Sequence, residues 1–198
     1  MLIPKIVFKY SWIYDQNWKR WIKNYGFRSG KYPSTLQVLN YIKRLEKGWR
    51  KIHRSVLTEM STIVGLGWKS KTIDCYVVGN CIPFSEPLTM CIYDKLDASI
   101  DSLTHELIHR LFTDGKNLEE STRSWNYIFR KYRKEPHTTK IHIPLHAIHE
   151  HIYMTFFGEK RLKRDIKWIS YLPDYRRSWK IVQEEGYQNI IKEFRSRI

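Results

Sequence analysis

Apolar residues recur along the chain with two spacings, which predict strands in some segments and helices in others. Short apolar runs bounded by Gly, Pro or polar residues predict three strands, at residues 2–8, 72–78 and 88–93. Apolar residues three and four positions apart predict helices at residues 34–62, 97–114, 118–134, 144–157 and 175–195. A strand, a long helix and two strands thus precede a helical second half, and this order predicts an α+β fold.

The predicted helix over residues 97–114 has clear boundaries and a clear buried face. Asp97 or Ser99 can cap its start, and Gly115 stands where a helix would end. Helical spacing gives it a core-facing stripe of Ile100, Leu103, Leu107 and Leu111. His105 and His109 form part of a second stripe beside the first. The helix is therefore expected to bury one face and to present two histidines on another.

The composition indicates a folded protein of modest size. The 198 residues are 42% hydrophobic, which is enough for one core, so we predict a single domain over residues 1–198. The sheet and the long helix would occupy residues 1–96, and the remaining helices residues 97–198. The odd number of cysteines and the lack of Cys-x-x-Cys spacing predict reduced thiols in a cytoplasmic protein. No stretch approaches the ~20 apolar residues of a membrane span.

The chain is strongly basic. It carries 35 Lys and Arg against 20 Asp and Glu, a net charge of +15. Such an excess favours contact with nucleic acid, acidic proteins or anionic membrane surfaces, although charge runs are also typical of solvated helix faces. Much of it lies in the C-terminal half, within residues 160–167 and at Arg176, Arg177, Lys180, Lys192, Arg195 and Arg197. We therefore predict a nucleic-acid contact through this half as one use of the charge.

The most specific chemical pattern is His105-Glu106-Leu107-Ile108-His109. Residues four apart lie one turn above each other on a helix, so His105 and His109 can offer two imidazole nitrogens to one metal ion. Glu106 projects about 100° round the helix from His105. It can therefore reach a water molecule held by that metal. This His-Glu-x-x-His arrangement supplies two ligands and the general base of zinc metallopeptidases.

A catalytic zinc site takes three protein ligands, so a third must come from elsewhere. The densest source of candidates is the segment 141–153, which holds His142, His146, His149, Glu150 and His151. On a helix that starts near residue 144, His146 and Glu150 share one face, and His149 lies at its border. His142 precedes Pro144 and is expected to lie off this helix. His146 or Glu150 can therefore complete the site.

The His-Glu-x-x-His helix resembles the zincin class of metallopeptidases, and the rest of the chain is similar to it only in outline. The resemblance implies that residues 34–62 form a backing helix and that residues 88–93 form an edge strand that aligns the substrate. Phe112 stands where metzincins have Gly, which excludes that subclass. A Glu as third ligand would resemble gluzincins, but their downstream Asn-Glu-x-x-Asp pattern is absent. The His-Ile-Pro-Leu-His-Ala stretch at 142–147 is similar to small zincin-like microbial proteins and favours His146 over Glu150.

The resemblance implies zinc-dependent hydrolysis of a peptide or protein substrate. The positive net charge of the chain would favour an acidic substrate. One Zn²⁺ held by His105, His109 and His146 would lower the pKa of a bound water to roughly 7. Glu106 would take the proton of that water as the water attacks the peptide carbonyl. The alternative is a basic nucleic-acid-binding or regulatory protein with a structural metal site. Such a site would have four protein ligands and no open position.

In that alternative, aromatic residues near the N-terminus would stack on bases. The candidates are Trp12, Trp18, Trp21 and Tyr25. Aromatic residues in a basic region also serve as packing anchors over a small core. The sequence alone leaves both interpretations of these side chains open.

Overall fold

The computed structural model describes residues 1–25 and 31–198, except for the side chain of Tyr25. The described residues form an α+β protein, as predicted. Its four strands are β1 (Lys5–Lys9), β2 (Thr72–Val78), β3 (Phe84–Ser85) and β4 (Leu88–Cys91). Its helices are α1 (Trp12–Tyr25), α2 (Thr35–Arg50), α3 (His53–Val64), α4 (Leu96–Thr113), α5 (Asn117–Glu120), α6 (Thr122–Lys131), α7 (His137–Ile152), α8 (Glu159–Ile169), α9 (Pro173–Glu185) and α10 (Tyr187–Arg195). A π-helical turn, Tyr153–Phe157, follows α7.

The strands form one sheet in the order β1-β2-β4-β3. Strands β1, β2 and β4 are parallel, and the two-residue β3 is antiparallel to β4. All four residues of β4 are buried, as expected of a strand with neighbours on both sides. The prediction that residues 88–93 form an edge strand is therefore wrong, because β2 and β3 flank β4. The strand prediction itself is confirmed for the four residues of β4.

The predicted long helix over 34–62 is two helices. Ser34 caps α2 through a capping box with Gln37, as its sequence favours. At the other end the amides of Lys51 and Ile52 donate to carbonyls three residues back, which tightens the last turn and ends the α-helical pattern. A new helix, α3, then starts at His53. The prediction of a single backing helix over 34–62 is therefore wrong, although both halves of this segment are helical.

The helix α7 begins seven residues earlier than predicted, at His137, and Pro144 lies inside it. An interior proline lacks a backbone donor and costs about 3 kcal/mol in an isolated helix. Here α7 is buried over most of its length and packs against α9 and α10. This packing outweighs the cost, so the proline marks no helix start. His142, which was expected off the helix, is therefore helical.

Other differences come from short or polar segments. The helices α1 and α8 lie in basic regions whose periodicity predicted no helix. The predicted helix 118–134 is divided between α5 and α6. The last predicted helix is divided at Gly186, which has φ +82°. In α1, Tyr14 and Trp18 pack against the buried Val78, Cys81 and Cys91. Trp18 is thus a packing anchor, one of the two roles open for it from the sequence.

The chain divides into two compact units. One comprises residues 3–54 and 70–110, and its core includes Val38, Leu45, Val77 and Leu103. The other comprises residues 1–2, 55–69 and 111–198, and its core includes Leu57, Ile148, Trp179 and Phe194. The single domain over 1–198, with its parts 1–96 and 97–198, stays a prediction.

The described residues bear on two predictions, one about the state of the cysteines and one about membrane-spanning segments. The three cysteines, Cys75, Cys81 and Cys91, are all buried and form no disulfide in the described part of the chain. Burial raises the pKa of the Cys75 thiol, which keeps it protonated and unreactive. Among the helices of residues 1–25 and 31–198, none is long and apolar enough to cross a membrane.

Candidate metal centre

The helix α4 positions the His-Glu-x-x-His residues as the sequence predicts. All four residues of its apolar stripe are buried, namely Ile100, Leu103, Leu107 and Leu111. The helix ends at Thr113, and Gly115 follows with φ +59°. A Cβ at Gly115 would lie 2.9 Å from the Cβ of Lys69, so a side chain there would clash as well as strain the backbone. The core face and the stop signal together fix the rotation and the length of α4.

His105 and His109 lie together on α4. Their ring centroids are 5.1 Å apart with an interplanar angle of 70°. His105 is buried, and His109 is half-buried. Two imidazoles on successive turns, one of them shielded and one open to solvent on one side, can hold an ion that remains accessible to a small substrate group.

Glu106, the candidate general base, is 7% exposed. Burial disfavours its charged form and raises the pKa of its carboxyl from 4.5 to about 8. Asp101, one turn before His105, is also buried. A buried carboxyl with a raised pKa is costly in a purely structural role, and such perturbed groups cluster at functional sites.

His142 lies in the middle of α7 and is held from two sides. Its Nδ1 atom lies 2.7 Å from the backbone carbonyl oxygen of Thr138, and its ring centroid lies 4.2 Å from that of Tyr175. A carbonyl oxygen can only accept, so Nδ1 carries the proton and the Nε2 lone pair is available to a metal. Burial lowers the pKa of His142, which keeps the ring neutral, as a ligand must be.

One nitrogen each from His105, His109 and His142 lies within 4.8 Å of the other two, and these three residues could hold a metal ion. Two nitrogens bound to the same zinc ion are at most about 4.2 Å apart, since each Zn–N bond is about 2.1 Å long. The 4.8 Å limit is therefore close to the separation that one zinc ion requires. Among the described residues, this group contains both histidines of α4.

His146, the predicted third ligand, does not belong to this group. It is fully buried, its Nδ1 atom lies 2.7 Å from the Ser178 hydroxyl, and its ring stacks on Trp179 at 4.3 Å with an interplanar angle of 9°. His142 accompanies the two histidines of α4 in the group that could hold a metal, because α7 starts before Pro144 and carries both His142 and His146. His142 and His146 are one helical turn apart in the sequence, but Pro144 between them suggested that a helix starts after His142.

The alternate ligand Glu150 also lies outside the group. Eight residues of helix separate it from His142, a rise of about 12 Å. One of its carboxylate oxygens is buried without a hydrogen-bond partner among the described residues, and burial raises its pKa. His149, the third residue considered, is buried with its ring 4.6 Å from that of Tyr153. The group that could hold a metal thus includes His142 from the histidine-rich segment, while His146 or Glu150 as third ligand stays a prediction.

The chain matches no protein-family model, and comparisons with curated proteins and with solved structures also gave no match. The resemblance to zincins therefore stays a prediction based on the His-Glu-x-x-His motif. Any function assigned to this chain has to rest on the chemistry of the site itself.

Proposed function

We propose that this protein is a zinc-dependent peptidase in which His105, His109 and His142 hold the metal and Glu106 is the general base. One observation carries the proposal. The two histidines of a His-Glu-x-x-His helix lie within reach of a third imidazole from α7, a helix distant in sequence. The motif alone supplies two ligands, and the third is what a catalytic site requires.

The donor set fits zinc in a catalytic role. Three neutral imidazoles are a known ligand set of catalytic zinc, and the Thr138 carbonyl orients His142 in the way that outer partners orient metal-binding histidines. A structural zinc site has four protein ligands. The group has three members among the described residues, and the segment 26–30 contains no His, Cys, Asp or Glu that could add a fourth. These points favour the peptidase over a protein with a structural metal.

Glu106 performs the proton transfers in this proposal. When bound, zinc supplies Lewis-acid polarisation and makes water more acidic. A bound cation would favour the ionised form of Glu106 that burial alone disfavours, so its carboxylate would accept the proton of the attacking water and then deliver it to the leaving amine of the cleaved peptide. Glu106 follows His105 directly in α4 and is buried, with 7% of its surface exposed.

The test combines metal content with hydrolysis. Wild-type protein and Glu106→Gln are purified without chelators, analysed for metals, and incubated with a mixture of unstructured peptides that is read by mass spectrometry. We expect about one zinc per chain in both proteins and cleavage only by the wild type, since general-base loss costs about 10²–10⁴-fold in rate. Wild-type protein that takes up no metal, or full activity of Glu106→Gln, would refute the proposal. A Glu119→Gln variant, altered at an exposed position, is the matched control.

A further inference from the structure

A cleft at the end of α6 is lined by four cations, a tyrosine and a glutamate. Residues Arg130, Lys131, Tyr132, Arg133, Lys134 and Glu135 enclose about 420 Å³. The cleft lies at the C-terminal end of α6, where the helix dipole stabilises positive charge. Four positive side chains within five residues therefore have a structural reason to be tolerated there. Whether they serve a ligand depends on how the nearby carboxylates are used.

The carboxylates around this cleft are already paired. Lys131 lies 2.7 Å from Glu185 and 2.6 Å from Glu193, and Glu135 lies 2.6 Å from Arg177. The other three cations, Arg130, Arg133 and Lys134, are exposed and form no ion pair within residues 1–25 and 31–198. Like charges in close proximity repel unless an anion neutralises them. The cleft therefore presents three uncompensated cations to a ligand.

The cationic surface continues onto α9 and the turn before it. The pair Glu135–Arg177 brings the N-terminal part of α9 against the cleft. Arg176, which precedes Arg177, is exposed, and its guanidinium donates to the carbonyl of Ser170 at 3.3 Å. Tyr171 follows Ser170 and is 71% exposed. We call Arg130, Arg133, Lys134, Arg176 and Tyr171 the basic surface.

We propose that the basic surface binds single-stranded nucleic acid. Its cations would contact backbone phosphates, and the Tyr171 ring would stack on a base. Single-strand binders combine a basic groove with solvent-facing aromatic rings, because every base offers a flat face. An acidic peptide would satisfy the cations but not the ring. A duplex would satisfy the cations but keeps its bases stacked inside.

The basic surface shares no residue with the candidate metal group, so its binding needs neither metal nor Glu106. The wild type and the Glu106→Gln and His109→Ala variants should therefore bind a single strand equally. The measurement is fluorescence anisotropy of a labelled single-stranded oligonucleotide with the full chain, at salt concentrations from about 50 to 200 mM. Equal binding by these variants would show that nucleic-acid binding does not depend on the proposed metal centre, whether or not the peptidase proposal holds.

The charge arm compares two triple variants. Arg130→Gln/Arg133→Gln/Lys134→Gln removes the unpaired cations of the cleft. Lys43→Gln/Lys47→Gln/Lys51→Gln removes the same charge from exposed positions of α2 and the residue after it. Each phosphate contact on a single strand contributes about 0.7 to the slope of log K against log salt. We expect the first variant to lower that slope by about 2 and the second to leave it near the wild-type value.

The stacking arm uses Tyr171. Tyr171→Ala should weaken binding about tenfold, within the range known for one stacked base, and Tyr171→Phe should bind as the wild type does. The proposal is overturned if no single strand binds or if both triple variants lose the same slope. It is also overturned if a duplex or polyglutamate binds as tightly as the single strand, because the surface would then be a general polyanion site.

Discussion

The Nδ1 atom of His142 lies 2.7 Å from the carbonyl oxygen of Thr138, one turn earlier on α7. Because that oxygen cannot donate, the bond fixes the proton on Nδ1 and directs the Nε2 lone pair away from the helix backbone. A histidine that is buried, neutral and held in one tautomer is prepared to bind a metal before the metal arrives. This relationship distinguishes His142 from the other histidines of its segment.

The first prediction concerns the identity of the third ligand. His142→Ala should lower zinc affinity more than about 100-fold, because loss of a ligand exceeds the 10–100-fold cost of losing an outer partner. His137→Ala, altered on the same helix at an exposed position, should change it little. Zinc affinity is measured by competition with a coloured chelator, and circular dichroism confirms the fold of each variant.

His146 supplies the opposing outcome in the same experiment. If His146→Gln abolishes zinc binding and His142→Ala leaves it intact, the third ligand is His146, and the group of His105, His109 and His142 is not the metal centre. His146→Gln is preferred to Ala because His146 is packed between Ser178 and Trp179, and a smaller residue would leave a cavity.

The sequence was a good guide wherever one physical signal acted alone. The apolar stripe of α4, its stop at Gly115 and the pairing of His105 with His109 all follow from helical spacing and from the backbone freedom of glycine. None of these features depends on a distant part of the chain. The α+β order of elements was predictable for the same reason, because each segment carries its own period.

Tertiary packing decided the features that the sequence did not predict. Pro144 suggested a helix start, but burial of α7 against α9 and α10 outweighs the local cost of an interior proline. That one misplacement removed His142 from the candidate ligands. The position of β4 between β2 and β3 was likewise unpredictable, because a two-residue strand such as β3 leaves almost no periodic signal.

A second prediction follows from linkage between metal binding and folding. A metal that binds only the folded chain stabilises it, by about 2.7 kcal/mol when free zinc is 100 times its Kd. The thermal midpoint of the wild type should therefore rise with added zinc and fall again with a chelator. His105→Ala and His142→Ala should show no such response. A zinc response of the same size in both variants would place the ion elsewhere.

A third prediction tests the end of α4, the helix that carries His105 and His109. Gly115→Ala should destabilise the protein by about 1–2 kcal/mol, because Gly115 has φ +59° and its added Cβ would lie 2.9 Å from the Cβ of Lys69. Gly67→Ala is the matched control, since nothing lies within 4 Å of its added Cβ and its φ is not positive. Urea unfolding of both variants gives the comparison. Equal losses would mean that neither the left-handed backbone nor the contact with Lys69 matters.

The last prediction concerns stability in acid. Hydrogen bonds from Arg177 hold the pKa of the Glu135 carboxyl below its ordinary value of 4.5 in the folded protein. The folded pKa lies below the unfolded one, so this pair stabilises the fold fully above the unfolded pKa and loses that effect as pH falls through the folded pKa. Glu135→Gln should therefore lower the urea midpoint near pH 6, and its difference from the wild type should shrink as the pH falls below 4.5. The difference should stay below about 1 kcal/mol, because Arg177 is partly exposed to solvent. A difference that is constant across this pH range would show that Glu135 acts through packing or uncharged hydrogen bonds and not through its charge.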